Sequence, residues 1–177
     1  MKAKRRIPIT VIFLLLVALL IGSCTRQRNS SQQGHLAWEK LTDQISGKSD
    51  YSYEDVPRLK VITNPSDAQS LSGQVYPEVL EQVQTVDFST FFAIAVFQGQ
   101  QDTTGYSIEV ADIEYKKGVV SVHANFYEPS PGDVVGETLT SPYYILTVRK
   151  TEDLKGSLTF VLIANGEEVT RQTHVIP

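Results

Sequence analysis

The chain has 177 residues, a single cysteine and a formal net charge of −4 at pH 7, with 16 Lys and Arg residues against 20 Asp and Glu residues. This acidic balance argues against nucleic-acid binding, which needs clustered basic side chains to displace counterions. One cysteine excludes an intrachain disulfide. We also expect no metal site and no cofactor, because His35, His123 and His174 are far apart in sequence and none has a ligand-spaced partner.

The first 23 residues predict a secretory signal. Basic residues in Met1–Arg6 precede a short apolar run, Ile9–Ile21. A helix that spans the bilayer core needs about 20 apolar residues, so this run is too short to be a membrane span. The segment Leu20–Cys24 reads Leu-Ile-Gly-Ser-Cys and resembles the bacterial lipobox, in which small side chains precede a cysteine that receives lipid. We expect cleavage before Cys24 and lipidation of its thiol; the alternative is a plain signal anchor with an incidental cysteine.

The sequence after the signal predicts a tether followed by one domain. Residues 24–34 form the lipidated cysteine and a flexible tether, because Thr25–Gly34 contains no apolar side chain. Residues 35–177 form a single domain, which is long enough to bury a core and has no visible repeat or second linker. Loss of residues 1–23 removes four basic residues and no acidic one, so the formal net charge falls from −4 to −8. Anionic lipid would not attract such a domain. We therefore expect the covalent lipid to hold it at the cell membrane or envelope, outside the cytoplasm.

The front of the domain predicts up to three short helices. Leu36–Ile45 has apolar residues at mixed three- and four-residue spacings, which weakly favour a helix. Asn64–Leu71 begins with a capping residue followed by proline, the order typical of a helix start. Pro77–Gln84 carries its apolar residues on one side. Between the first two segments, Arg58–Thr63 predicts a strand.

The pattern from Phe88 onward is that of strands. Phe91–Phe97 is a continuous apolar run, which predicts a central strand covered on both faces. Tyr106–Tyr115 alternates, but the phase flips between Val110 and Ala111, as a β-bulge requires. Lys117-Gly118 and Asn165-Gly166 have the composition of tight hairpin turns. The remaining predicted strands are Val119–Tyr127, Tyr143–Arg149, Leu158–Ala164 and Glu167–Val175.

Taken together, these elements predict a mainly β (α+β) domain. The architecture is an antiparallel β-sandwich or a partly open barrel, with one to three short N-terminal helices.

The sequence gives no support for an enzyme. It contains no nucleophile elbow and no phosphate-binding loop. Asp112 and Glu114 lie on one face of a predicted strand and could mimic a catalytic carboxylate pair, but a solvated strand face explains them better. His123 falls on the polar face of its strand, where an exposed histidine is ordinary. We predict no catalytic residue.

Two polar loops are the candidate functional segments. Gln98–Tyr106 and Glu128–Glu137 are rich in Gly, Pro and small polar residues. Such loops on a rigid β scaffold commonly form recognition surfaces, although turn chemistry and core tyrosines would also account for the individual residues. The candidate partner-binding residues are Thr103, Thr104, Gly105, Tyr106, Pro131, Gly132, Pro142 and Tyr143.

The order of these motifs resembles the C-terminal domain of the PrcB-type protease-complex subunits over about residues 88–150. The matching elements are an apolar strand ending in glycine (Ala95–Gly99), a Thr-Gly-Tyr-x-Ile-x-Val segment (Thr104–Val110), a Pro-Gly loop (Pro131-Gly132) and a Thr-x-Pro-Tyr strand entry (Thr140–Tyr143). Members of that family are typically secreted or lipid-anchored, and the name-giving member is a lipoprotein partnered with a surface protease. The resemblance implies a non-catalytic accessory role with a protein partner, such as a secreted protease.

Two alternatives remain open. Gln101–Tyr106 is similar to the Asn-Pro-Thr-Thr-Gly-Tyr loop of the chagasin-like inhibitors of cysteine proteases, which would imply direct inhibition. The other inhibitor loops are matched only distantly, by Pro131–Gly136 and Ser141–Tyr143. The second alternative is a structural envelope lipoprotein without a specific ligand.

Overall fold

The computed structural model describes residues 33–46 and 55–177, which form two β-sheets and two short helices. The five-stranded sheet has the order β1 (Gln33–His35), β5 (Ser107–Lys116), β6 (Val119–Tyr127), β8 (Gly156–Ala164), β9 (Glu167–Ile176). The four-stranded sheet has the order β2 (Trp38–Ser46), β7 (Ser141–Arg149), β4 (Phe91–Phe97), β3 (Arg58–Ile62). Neighbouring strands are antiparallel except β6 and β8, which are parallel. The predicted signal, Cys24 and most of the tether lie outside the described residues.

The central strand β4 is buried on both faces. Phe92, Ile94 and Val96 point into the core between the two sheets. The intervening Ala93, Ala95 and Phe97 point to the opposite side, where they meet residues of the helical segment. The strand therefore needs apolar residues at every position, and the prediction made from its continuous apolar run is confirmed.

The helical segment covers the outer face of the four-stranded sheet. It consists of α1 (Pro65–Ala68), a 3₁₀ turn at Gln69–Leu71 and α2 (Pro77–Gln84). Val79 and Val83 of α2 are buried against the sheet. The described part of the chain is thus layered as five-stranded sheet, four-stranded sheet and helices. Within it, no helix has the length and apolar character needed to cross a bilayer.

The start of α1 is held by side-chain caps, as the sequence predicted. The Asn64 Oδ1 accepts a hydrogen bond from the Asp67 backbone N–H at 2.9 Å. The Asp67 carboxylate accepts from the Thr63 backbone N–H at 3.1 Å and from the Thr63 hydroxyl at 2.7 Å. Partial burial would raise the pKa of Asp67, but the hydrogen bonds from Thr63 and Asn64 outweigh it and lower the pKa below its ordinary value.

The prediction of a helix at Leu36–Ile45 is wrong, because most of this segment forms β2. The strand pairs with β7 from Trp38 to Ser46. Trp38 packs against the core between the sheets and Leu41 packs on the helical side, as residues three apart on a strand do, and a register shift between Lys40 and Thr42 then breaks the alternation. The bulge produces the mixed spacing that imitates a helix in the sequence, and tertiary pairing decides the outcome.

The predicted turns and the predicted bulge are present. Lys117 and Gly118 have φ of 49° and 82°, and Asn165 and Gly166 have φ of 51° and 87°. Positive φ at both central residues is the geometry of type I′ hairpin turns. The register of β5 shifts between Val110 and Asp112, where the phase flip was expected. The fold is mainly β and sandwich-like, as predicted, and the two sheets do not close into a barrel.

The core between the sheets should govern the stability of the domain. Phe160 of β8 is 1% exposed, and its ring packs edge-to-face on Phe92 of β4 with a centroid distance of 6.0 Å. We expect Phe160→Ala to lower the free energy of unfolding by about 3–5 kcal/mol, since it removes this contact and leaves a cavity. Urea denaturation followed by circular dichroism measures the change. As a control, Val175→Ala changes a residue that is 62% exposed and should alter the value by no more than about 0.5 kcal/mol. Equal losses in the two variants would contradict this assignment of the core.

Candidate functional site

The two candidate loops lie together at one end of the sandwich. Residues 98–106 connect β4 to β5, and residues 128–140 connect β6 to β7; we call these two segments the loop end. They are joined by an isolated β-bridge, in which Gln101 and Thr140 exchange backbone N–H···O hydrogen bonds of 2.8 Å. The Gln98 backbone N–H also donates to the Pro142 carbonyl at 3.1 Å. The bridge extends the β4–β7 pairing past the end of β4.

Thr104 ties the two loops together a second time. Its backbone N–H donates to the Gly136 carbonyl at 3.0 Å, and its hydroxyl oxygen accepts from the Gly136 N–H at 2.8 Å. The Thr140 hydroxyl, on a residue that is 1% exposed, donates to the Thr103 carbonyl at 2.8 Å. Both hydroxyls are therefore used to hold the loops. A role for Thr104 in direct contact with a cysteine protease has no support from this geometry.

Gly105 has no room for a side chain. Its φ is +99°, and a β-carbon there would lie 3.0 Å from Cβ of Pro129 and 3.1 Å from Cγ1 of Val135. The backbone of the first loop thus packs directly against the second loop. Tyr106 follows at the entrance of β5 and is partly buried.

Pro131 and Gly132 occupy the exposed tip of the second loop. The tip is a turn in which the Asp133 N–H donates to the Ser130 carbonyl at 3.0 Å, and the Ser130 N–H donates to the Asp133 carboxylate at 2.7 Å. Gly132 has a φ of +98° in this turn. The neighbouring Val134 is fully exposed, with a relative exposure of 102%.

The last two candidates, Pro142 and Tyr143, lie in the interior. Tyr143 is 1% exposed and belongs to the core under the helices, where its ring lies 6.1 Å from the ring of Phe97. The Thr-Ser-Pro-Tyr segment therefore fixes the base of the loops, and these two residues present no surface to a partner. The structure brings Thr103, Thr104 and Gly105 against the second loop and leaves Pro131 and Gly132 exposed at its tip.

Exposed apolar side chains, which the sequence analysis did not single out, lie within the loop end and beside it. The structure describes six large exposed apolar residues, and four of them belong to this end of the sandwich: Val56, Tyr127, Val134 and Leu139. The backbone of Val56 lies at the base of the first loop, since a β-carbon on Gly99 would be 3.0 Å from its carbonyl carbon. Exposed apolar groups that cluster in this way are typical of protein-binding surfaces.

The loop end is also acidic. No Lys or Arg occurs in residues 98–109 or 127–140, whereas five exposed acidic residues do: Asp102, Glu109, Glu128, Asp133 and Glu137. Tyr127 donates from its hydroxyl to the Glu109 carboxylate at 2.7 Å. This hydrogen bond to a carboxylate raises the pKa of Tyr127 above its ordinary value. The two loops therefore present exposed apolar side chains together with negative charge.

A pair of glycines with nearly equal φ can test the packing between the loops. Gly105→Ala and Gly132→Ala should both introduce backbone strain of about 1–2 kcal/mol. Only Gly105→Ala should add a steric cost of about 1–3 kcal/mol, because nothing lies within 4 Å of the corresponding β-carbon position at Gly132. Urea denaturation of the two variants gives the difference. Equal losses of stability would mean that the loops are not packed as described.

Comparison with known proteins points to the same segment. The family model described as PrcB C-terminal matches residues 92–149, about a third of the chain. No curated protein and no solved structure matches the chain. The matched residues run from β4 to the end of β7 and include both loops. Residues 92–149 therefore match the PrcB C-terminal family, as the order of the sequence motifs predicted.

Proposed function

We propose that the protein is a lipid-anchored, extracytoplasmic and non-catalytic accessory protein whose loop end docks on a protein partner, with a secreted protease as the partner class. The observation that carries the proposal is the PrcB C-terminal match over residues 92–149. The matched segment contains both loops of the loop end. A protease-complex accessory role is what this family resemblance suggests.

The surface chemistry of the loop end supports protein docking. Val134 and Leu139 project from a loop whose backbone is held by the bridge between Gln101 and Thr140. An apolar group fixed in this way loses little conformational freedom when it binds, and such preorganisation improves affinity. We expect the partner to present an apolar recess for Val134, because a fully exposed valine gains most from complete burial.

The negative charge of the loop end indicates that the partner surface carries positive charge. The two loops and the adjoining strand ends carry five acidic residues and no Lys or Arg, while the exposed Arg58 of β3 lies opposite Phe97 at the same end. A partner surface with Lys or Arg around an apolar recess would complement it, and complementary charge accelerates encounter while selecting against wrong partners. Association should accordingly slow as ionic strength rises, because salt screens exposed charges beyond about 8–10 Å.

The position of the first described strand agrees with a lipid-anchored arrangement. Gln33 pairs with Lys116, at the end of β5 that is remote from the loop end. From Ser107 to Lys116 the strand extends about 30 Å, at roughly 3.3 Å per residue. A tether from a lipidated Cys24 would enter the domain at Gln33, at the end of β5 opposite to the loop end.

Photo-crosslinking tests the docking surface. A photoreactive amino acid placed at position 134 should crosslink a protease in native membranes, because Val134 is the most exposed apolar residue of the loop end. The matched control is the same group at position 175, an exposed valine on β9. The crosslinked proteins are identified by mass spectrometry. With the purified partner, Val134→Asp should weaken binding about tenfold or more, equivalent to about 1.4 kcal/mol, whereas Val175→Asp should not.

Two outcomes would contradict this proposal in different ways. Equal crosslinking from positions 134 and 175 would remove the loop end as the docking surface. A partner specific to position 134 that is never a protease would remove the protease and keep the surface.

The lipid anchor is tested at Cys24. We expect intact-protein mass spectrometry of the membrane-derived protein to give a chain that begins at Cys24 and carries acyl groups, since two or three acyl chains anchor a protein stably. Cys24→Ala should abolish acylation and detergent-phase partitioning. The neighbouring Thr25→Ala substitution keeps the acceptor thiol and should retain both. Recovery of the wild-type protein with Met1 intact and an unmodified thiol would refute the anchor.

A further inference from the structure

Four side chains of types that can bind metal ions share the outer face of the five-stranded sheet. Asp112 and Glu114 lie two residues apart on β5. His35 of β1 lies directly opposite Glu114, and His123 of β6 lies directly opposite Asp112. Opposite residues of antiparallel strands project to the same face. Since Ile113 between the two carboxylates is buried in the core, this face is the solvent-facing one.

The functional groups of these residues are close in space. The Nδ1 atom of His35 lies 2.5 Å from Oδ2 of Asp112. One potential ligand atom from each of His35, Asp112 and Glu114 can be chosen so that all three are within 4.8 Å of one another. On the other side, Nε2 of His123 lies 3.9 Å from Oε2 of Glu114. The long separation in sequence concealed this convergence, because it depends on the pairing of three strands.

His123 gives an independent indication of a ligand. The His123 side chain is 36% exposed, but its Nε2 atom is itself covered and has no hydrogen-bond partner among the described residues. Buried polar atoms are nearly always satisfied, and an exception calls for an unseen water, an ion or a functional role. This nitrogen is near the Glu114 carboxylate, so a cation between the two groups would accept its lone pair and neutralise the carboxylate.

We propose that His35, Asp112, Glu114 and His123 bind a divalent transition-metal ion of the Zn²⁺ class. Two imidazole nitrogens and two carboxylate oxygens suit Zn²⁺ and its neighbours, whereas Ca²⁺ and Mg²⁺ prefer oxygen ligands alone. With neutral imidazoles, the two carboxylates give the group a charge of −2, which a divalent cation balances. The site is separate from the loop end and uses none of its residues.

Binding such an ion requires the side chains to rearrange, since His35, Asp112 and Glu114 lie within 4.8 Å of one another and His123 approaches only from the Glu114 side. Ligand atoms of a tetrahedral Zn²⁺ site with bond lengths of about 2.0–2.1 Å lie roughly 3.3 Å apart. The hydrogen bond between His35 and Asp112 must therefore open by roughly 0.8 Å to admit the metal. The His35 side chain is 74% exposed and can rotate to do so. Metal binding would then fasten the short strand β1 to β5 and β6.

Calorimetric titration of the full-length protein in detergent with ZnCl₂ tests this site. We expect one saturable Zn²⁺ site per chain in the wild type. His35→Gln and His123→Gln should each weaken Zn²⁺ binding by roughly tenfold or more, because even the loss of a group that only orients a ligand costs that much. His174→Gln replaces the third histidine of the chain, which lies on β9, and should leave binding unchanged.

A spectroscopic readout separates this site from binding elsewhere. Co²⁺ should give visible absorption typical of nitrogen and oxygen ligands, without the charge-transfer band that a free thiolate at an unmodified Cys24 would produce, and His123→Gln should remove this absorption. Circular dichroism checks that each variant is folded. The proposal is overturned if the wild type binds no Zn²⁺ saturably, if His35→Gln and His123→Gln leave binding unchanged, or if all three histidine variants weaken it equally.

Discussion

Burial of β4 and β7 on both faces is the constraint on which the rest of the structure depends. Phe92 and Leu146 point into the core between the sheets, whereas Phe97 and Tyr143 point into the core under the helices. Two neighbouring strands that are packed on both faces cannot shift register, because a shift would expose large apolar side chains on one face and crowd the other. The loops that leave these strands therefore start from positions that the interior determines.

The fixed register of β4 and β7 also orders the loop end. The bridge between Gln101 and Thr140 continues the β4–β7 ladder into the loops, and the contact of Gly105 with Pro129 joins the other ends of the same loops. Two long polar loops would otherwise sample many conformations, at a cost of about 1–2 kcal/mol for each residue that a partner had to order. A surface already ordered before binding avoids much of that cost, so side chains such as Val134 can contribute their burial directly to affinity.

Local signals in the sequence predicted most of the strands and turns. The features that the sequence did not predict depend on contacts between residues that are distant along the chain. Lys117-Gly118 and Asn165-Gly166 were recognisable because their turns require positive φ, which few residue types adopt. The strand at Trp38–Ser46 was mistaken for a helix because its bulge disturbs the alternation and its pairing partner is about 100 residues away. At the loop end the glycines and prolines were visible in the sequence. The exposure of Val134 and the burial of Tyr143 were not, because they depend on how the layers pack.

The bulge in β5 links the interior of the sandwich to the chemistry of its outer face. Ile108 and Val110 point inward, so an unbroken alternation would direct Asp112 and Glu114 into the core as well. Two unpaired carboxylates in an apolar core would cost far more than the ladder hydrogen bonds lost at a bulge. The extra residue at the bulge reverses the phase, so that Ile113 enters the core and the carboxylates face outward between β1 and β6. A single inserted residue thus preserves the core and also sets both carboxylates beside the histidines of the neighbouring strands.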